Sequence, residues 1–154
     1  MTTLHFTKTT TASPEELLAA LTNFGPGRSD VFPNSADDYL TVHDRGADYA
    51  DVTEGSSGTW ERLYYDWSDP KRVVMTTTDS NAWGGHSGHT YTFTPLPDGT
   101  TRLDATVVRD GKYLKGRFFA IVFRAFGQKV LGGAFQKTVR AIEARSEKQS
   151  TRNA

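Results

Sequence analysis

The amino-acid sequence predicts an α+β fold: a curved antiparallel sheet of seven strands wrapped around one long C-terminal helix, with two short helices after the first strand. Three observations carry that prediction. Between residues 38 and 109, extended segments alternate with turns rich in Gly, Pro and Asp. Beyond residue 113 the apolar spacing changes to a helical period. Threonine recurs in Thr76 to Thr78 and in the alternating Thr90, Thr92 and Thr94, and aromatic residues make up 12 % of the chain; both residue types favour extended chain.

Residues 3 to 11 alternate as a first strand and lead into Ser13-Pro14-Glu15-Glu16. There Ser13 is placed to cap a helix, Pro14 suits its first position and Glu16 closes a capping box. This helix runs to about Asn23, and Gly25-Pro26-Gly27 ends it. Arg28 to Pro33 adds a further turn or two, with Phe32 pointing inward, and Asn34-Ser35-Ala36-Asp37 opens the next strand. Six strands follow, at 38 to 45, 48 to 54, 59 to 67, 72 to 79, 87 to 95 and 101 to 109. The turns between them are Arg45-Gly46, Gly55-Ser-Ser-Gly58, Ser68-Asp69-Pro70, Trp83-Gly84-Gly85 and Pro97-Asp98-Gly99. Links this short join antiparallel neighbours, so the sheet is a meander. Leu114, Phe118, Val122 and Phe126 then recur every four residues, and Leu131, Phe135, Val139 and Ile142 continue the stripe after a register shift near Gly127. The result is one long helix from about Tyr113 to Arg145. Residues 1 to 146 are read as one domain, and the polar tail at 147 to 154 is expected to fray.

A chain of 154 residues suits one core, and at that size folding buries about 70 % of the surface the unfolded chain exposes, without help from disulfides or a structural metal. The absence of cysteine excludes thiol nucleophiles, thiolate zinc sites and iron–sulfur clusters. Eighteen basic against eighteen acidic side chains leave no formal net charge, which removes the long-range attraction on which nucleic-acid binding relies. No apolar run approaches the length of a membrane span, and Met1 to Lys8 lacks the apolar core of a secretory signal. The expectation is a cytoplasmic protein without stable membrane insertion. Nine Phe, six Tyr and three Trp must fill or line much of the interior.

The order of elements, the strand opening at Gly58-Thr59-Trp60, the hairpin Trp67-Ser68-Asp69-Pro70-Lys71-Arg72-Val73 and Tyr91-Thr-Phe-Thr-Pro95 before Asp98-Gly99 resemble the START-like, or SRPBCC, superfamily over about residues 3 to 145. That superfamily includes polyketide cyclases and aromatases, Bet v 1-like proteins and lipid carriers. The resemblance implies the helix-grip fold, a cavity between sheet and final helix, and a small hydrophobic ligand that is aromatic, polyketide or lipid-like. It brings no catalytic motif with it, because cyclases of the group steer condensation and dehydration mainly by holding the substrate in shape.

Strand alternation places His89, Tyr91 and Phe93 on the apolar face, with Thr90, Thr92 and Thr94 opposite. The same rule places Leu63, Tyr65 and Trp67 inward, with Trp60 and Tyr64 leaving the opposite facing open, and Leu103, Ala105 and Val107 inward; the small residues Gly88, Thr77 and Ala105 leave room. Two phenols, an indole and an imidazole on one concave face suit an aromatic or sterol-like ligand. Phe32 and Trp83 from the loops, and Phe119, Val122, Phe123 and Phe126 from the helix, complete the expected lining. Asp79, His89, Tyr91 and Arg109 are the polar groups available for acid or base work, although their spacing forms no motif.

His86-Ser87-Gly88-His89 invites a metal site or a hydrolase elbow, and both fail on geometry. Histidines three apart point to opposite faces of a strand, and the fifth position of Gly-x-Ser-x-Gly is His89. Neither a metal nor a cofactor is implied. Lys112, Lys115 and Arg117 at the helix start are either a solvated basic turn or an anion site. Phe118 to Phe126 is apolar on nearly every side, so its outer face is expected to be covered by Arg28 to Pro33 and the Trp83 loop, acting as a gate. Binding of a small hydrophobic molecule is the leading functional reading. A polyketide cyclase or dehydrase-type enzyme is the alternative, and an interaction module using the aromatic helix is the third. The oligomeric expectation is a monomer or a weak homodimer.

Overall fold

Turn chemistry sets the strand boundaries, and the computed structural model, which describes residues 1–153 apart from the side chains of Leu114 and Lys115, places them close to the expected positions. The roles given above to Leu114, Lys115 and Ala154 lie outside the described residues. The strands are β1 (Thr2–Thr10), β2 (Thr41–Arg45), β3 (Tyr49–Gly55), β4 (Trp60–Asp66), β5 (Arg72–Ser80), β6 (Gly88–Pro95) and β7 (Thr101–Arg109). They form one antiparallel sheet in the order β1-β7-β6-β5-β4-β3-β2. β1 pairs with β7 along its whole length, from Thr2 opposite Arg109 to Thr10 opposite Thr101. β2 starts later than expected because Asp37–Tyr39 closes a short 3-10 turn, and the Asp37 carboxylate accepts the Gly27 and Ser29 amides.

Helix α1 (Pro14–Leu21) carries the capping box that the sequence predicts. The Glu16 amide donates to Ser13 Oγ at 3.2 Å and the Ser13 amide donates to Glu16 Oε2 at 2.8 Å, so two otherwise orphaned donors are satisfied. Leu17 and Leu21 on its inner face join Val73 and Phe93 in the main core, which places α1 over one end of the concave face. Helix α2 (Arg28–Val31) is a single turn.

Helix α3 (Tyr113–Arg152) is continuous and corrects two expectations. The helix continues through residues 147 to 152, where Glu147, Lys148, Gln149 and Arg152 are good helix formers and no Gly or Pro interrupts them. The stripe facing the sheet does not shift register at Gly127 but passes straight through it. That face follows Gly116, Phe123, Gly127, Leu131, Phe135, Val139 and Ile142, with Phe123, Leu131 and Phe135 against Phe6, Ala105 and Val107. At Gly127 a Cβ would stand 3.0 Å from Leu4 Cδ1, closer than a side chain comfortably permits. Glycine therefore leaves room for a close approach of the helix to Leu4 of β1, and apolar spacing alone passes over it.

The outer face of α3 is not covered within the described residues, contrary to expectation. Phe118, Ile121, Phe126 and Val130 are 62–68 % exposed. Arg28 to Pro33 lies instead against the C-terminal part of the helix, where Thr138 Oγ1 donates to the Val31 carbonyl at 2.7 Å and Arg145 donates to the Gly27 carbonyl at 3.0 Å. Trp83 is held on the inner side, edge-on to Phe123 at 5.8 Å. By length and composition alone, α3 from Gly116 onward also meets the description of a membrane-crossing helix, which the sequence reading did not anticipate. In this fold it forms the wall opposite the sheet.

Candidate functional site

Because α1 covers only one end of the concave face, the rest of the sheet and the facing length of α3 enclose a cavity of about 660 Å³. Leu63, Tyr65, His89, Tyr91 and Arg109 line it from the sheet, Phe32 and Trp83 from the loops, and Phe119, Val122 and Phe123 from the helix. The exposed members of the lining, Pro33, Asn34, Ser56, Val122 and Val130, mark its mouth.

Four expected residues stand elsewhere. Phe93 is on the correct face but under α1, packed with Leu17 and Leu21. Trp67 lies past the end of β4, where its Nε1 donates to the Ala47 carbonyl at 2.9 Å. Phe126 is on the solvent side of α3. Asp79 points outward because a bulge interrupts the β4–β5 register: Leu63 pairs with Thr77 but Arg62 with Asp79, so one extra residue reverses the alternation and turns Ser80 inward instead. Exposed Asp79 pairs with Lys112 at 3.3 Å, which takes Lys112 out of the anion-site reading. Ser87 is a loop strut rather than a nucleophile, since its Oγ donates to the Gly84 carbonyl and accepts the Asp110 amide.

Three buried or half-buried charges went unnoticed in the sequence and dominate the site: Arg28, Glu54 and Glu61. Glu54 and Glu61 are direct register partners on β3 and β4, two carboxylates side by side on the inward face. Like charges so placed repel, so each needs its own cation. For Glu54 that cation is Arg28, whose Nε donates to Oε2 at 2.9 Å. Its other guanidinium nitrogens donate to the Leu21 and Asn23 carbonyls and to Tyr65 Oη, and the group stacks on Phe24 and Phe32. The Tyr65 hydroxyl and Ser35 Oγ also donate to Glu54. Burial, with Glu54 beside it, pushes the Tyr65 phenol well above its ordinary value.

For Glu61 the cation is Arg109, which reaches across from β7. Its Nη2 donates to Oε1 at 2.7 Å and its Nη1 to Oε2 at 3.1 Å, while Thr77 Oγ1 donates to Oε2 at 3.0 Å. Burial raises the Glu61 carboxyl, but the paired Arg109 guanidinium, with the Thr77 hydroxyl, outweighs it and holds the group down at about 2. Arg109 Nη2 also stands 2.8 Å from His89 Nε2. A guanidinium has only donors, so Nε2 must accept and the ring proton sits on Nδ1. Burial and the neighbouring Arg109 charge both lower the His89 pKa, in accord with that neutral tautomer. Nδ1 is itself buried with no hydrogen-bond partner among the described residues. Tyr91 stacks on the imidazole at 6.4 Å, and burial pushes its phenol up to about 12. Among the described residues no group of three His, Asp or Glu side chains is placed to hold a metal ion.

Comparison with known proteins supplies the family. The family model described as polyketide cyclase / dehydrase and lipid transport matches residues 1–147. No curated protein matches at a significant level. Among solved structures, TTHA0849 from Thermus thermophilus is 16 % identical with a TM-score of 0.72, over 97 % of this chain and 99 % of that one. Zhui aromatase/cyclase from Streptomyces sp. R1128 is also 16 % identical with a TM-score of 0.72, over 97 % and 95 %. A START superfamily protein from Mycobacterium smegmatis is 12 % identical with a TM-score of 0.67, over 96 % and 98 %. Likeness at such identities speaks for the helix-grip fold alone.

Proposed function

The chain belongs to the polyketide cyclase / dehydrase and lipid transport family, and from that premise we propose that it binds a small hydrophobic molecule, aromatic, polyketide or lipid-like, between the sheet and α3 in the cytoplasm. The observation that carries the reading is the cavity itself. Its 660 Å³ lies within the range of small-molecule sites, and rings and aliphatic chains line most of it, with polar groups gathered at a few points. The test uses the neutral dye N-phenyl-1-naphthylamine. Binding on the order of micromolar, about 8 kcal/mol, should quench tryptophan emission. Trp83 lines the cavity and Trp67 does not, so Trp67→Phe should keep the quench and Trp83→Phe should lose most of it. Absence of binding, or a quench that survives Trp83→Phe, would refute the assignment.

A second reading, an enzyme of the cyclase or dehydrase type, draws on the Glu61–Arg109–His89 cluster in the cavity wall. With Nε2 engaged by Arg109, His89 has no free lone pair and cannot take a proton. Its Nδ1–H, buried in the wall, would polarise a carbonyl held in the cavity only after the imidazole turns to present it. A carrier returns its ligand unchanged. In an enzyme, His89→Gln would remove turnover while affinity stays nearly intact.

A further inference from the structure

We propose that the cavity selects an uncharged, oxygen-bearing ligand, such as a ketone, quinone or phenol, and excludes carboxylates of the same size. This inference rests on the cavity reading above and names the ligand class within it. Its basis is the charge inventory of the walls. The charged side chains among the lining residues are Arg28, Glu54, Glu61 and Arg109, two cations and two anions. Each guanidinium is already joined to a carboxylate, Arg28 to Glu54 at 2.9 Å and Arg109 to Glu61 at 2.7 Å. The remaining Arg28 contacts, to two carbonyls and a phenol, and the Arg109 contact to His89 hold both cations in place. His89 contributes no charge, because its Nε2 accepts from Arg109.

A carboxylate entering this space would shed its hydration and find no unpaired cation, with Glu54 and Glu61 already present as like charges. A neutral oxygen meets what the walls leave unused. Tyr91 lines the cavity and its hydroxyl makes no hydrogen bond among the described residues, so it is the first donor a ligand oxygen meets; His89 Nδ1–H lacks a partner there too but is buried in the wall, so the imidazole must turn to present it. The apolar body of the ligand would lie against Phe119, Phe123 and Leu131. Glu54 and Glu61 are thus the specificity-determining residues: they cancel the two arginines that would otherwise make an anion site.

The test is a matched pair of nearly isosteric probes at pH 7, 2-acetylnaphthalene and 2-naphthoate, titrated against the full chain by competition with N-phenyl-1-naphthylamine. The ketone should bind at least about tenfold more tightly than the carboxylate. Glu61→Gln leaves Arg109 unpaired and should shrink that ratio by about tenfold or invert it. Glu54→Gln does the same through Arg28 and serves where the first variant fails to fold. Equal or tighter binding of naphthoate to the unmodified protein overturns the proposal, as does a ratio unchanged in every variant that folds. If neither probe nor dye binds, the cavity reading fails first and the ligand class falls with it.

Discussion

Replacing Arg109 with Met isolates the buried charge pair and puts a number on it. Arg109 and Glu61 are 8 % and 13 % exposed at the side chain, so solvent screens their interaction little. Holding the Glu61 carboxyl at about 2 instead of its usual 4.5 corresponds to about 3 kcal/mol of stability at pH 7, at 1.36 kcal/mol per unit. Removing the cation leaves a desolvated carboxylate hydrogen-bonded to Thr77, with His89 Nε2 3.7 Å away, and breaking such a pair costs about 3–5 kcal/mol, a large share of a typical 5–15. Some of the loss also comes from the guanidinium's contact with the Trp83 ring, 5.2 Å from its centroid. The assay is urea unfolding at pH 7 and pH 4. A lowered pKa contributes stability above 4.5 that is lost as pH falls toward 2. In Arg109→Met the Glu61 pKa rises, so its contribution is full below 4.5 and lost as pH climbs. The deficit of the variant should therefore shrink at pH 4. The double variant Arg109→Met/Glu61→Gln should recover most of it, since the unpaired charge has gone. A single-variant cost under about 1 kcal/mol, or a double variant in which the two losses simply add, would refute the account of this pair.

Three further outcomes follow from the same geometry. Burial holds the His89 pKa below its ordinary 6.5, so stability should decline as pH falls below about 6.5, where the unfolded chain takes up the proton first; His89→Gln should flatten the pH 7 to 5 profile of urea midpoints. At Gly88 a Cβ would stand 2.3 Å from the Met75 carbonyl, so Gly88→Val should cost several degrees of melting temperature, whereas Ser13→Ala, which removes only the α1 cap, should cost about 1 kcal/mol. Hydrogen exchange in the presence of N-phenyl-1-naphthylamine should slow at residues 32 to 35 and 55 to 59, which border the cavity, and change little at the centre of β4; slowing confined to Phe118 to Phe126 and rising with protein concentration would point to self-association through the exposed face of α3.

Local chemistry is legible in this sequence because its rules are local. Ser13, Pro14 and Glu16 specify a helix start by hydrogen bonds within four residues, and the paired turn residues specify where strands end. Alternation likewise puts Tyr65, His89 and Tyr91 on the inward face. Which end of that face stays open is another matter. Phe93 and Trp67 obey the alternation and still miss the cavity, because α1 settles over one end of the sheet and Trp67 lies beyond its edge. The bulge that turns Asp79 outward exists only in the pairing of β4 with β5, and the helix face only in the approach of Gly127 to β1 and of Gly116 to the Ala82 loop. The ion pairs are the clearest case. Glu54 and Glu61 sit at inward parity with Val52 and Leu63, so their placement could have been read from the strands. Their partners could not: Arg28 is 26 residues from Glu54 and Arg109 is 48 from Glu61. No periodicity encodes a contact at that separation. The hydrophobic pattern decides which face a side chain takes, whereas the charge it meets there is set by where distant elements come to rest, and burial makes that meeting costly to leave unpaired.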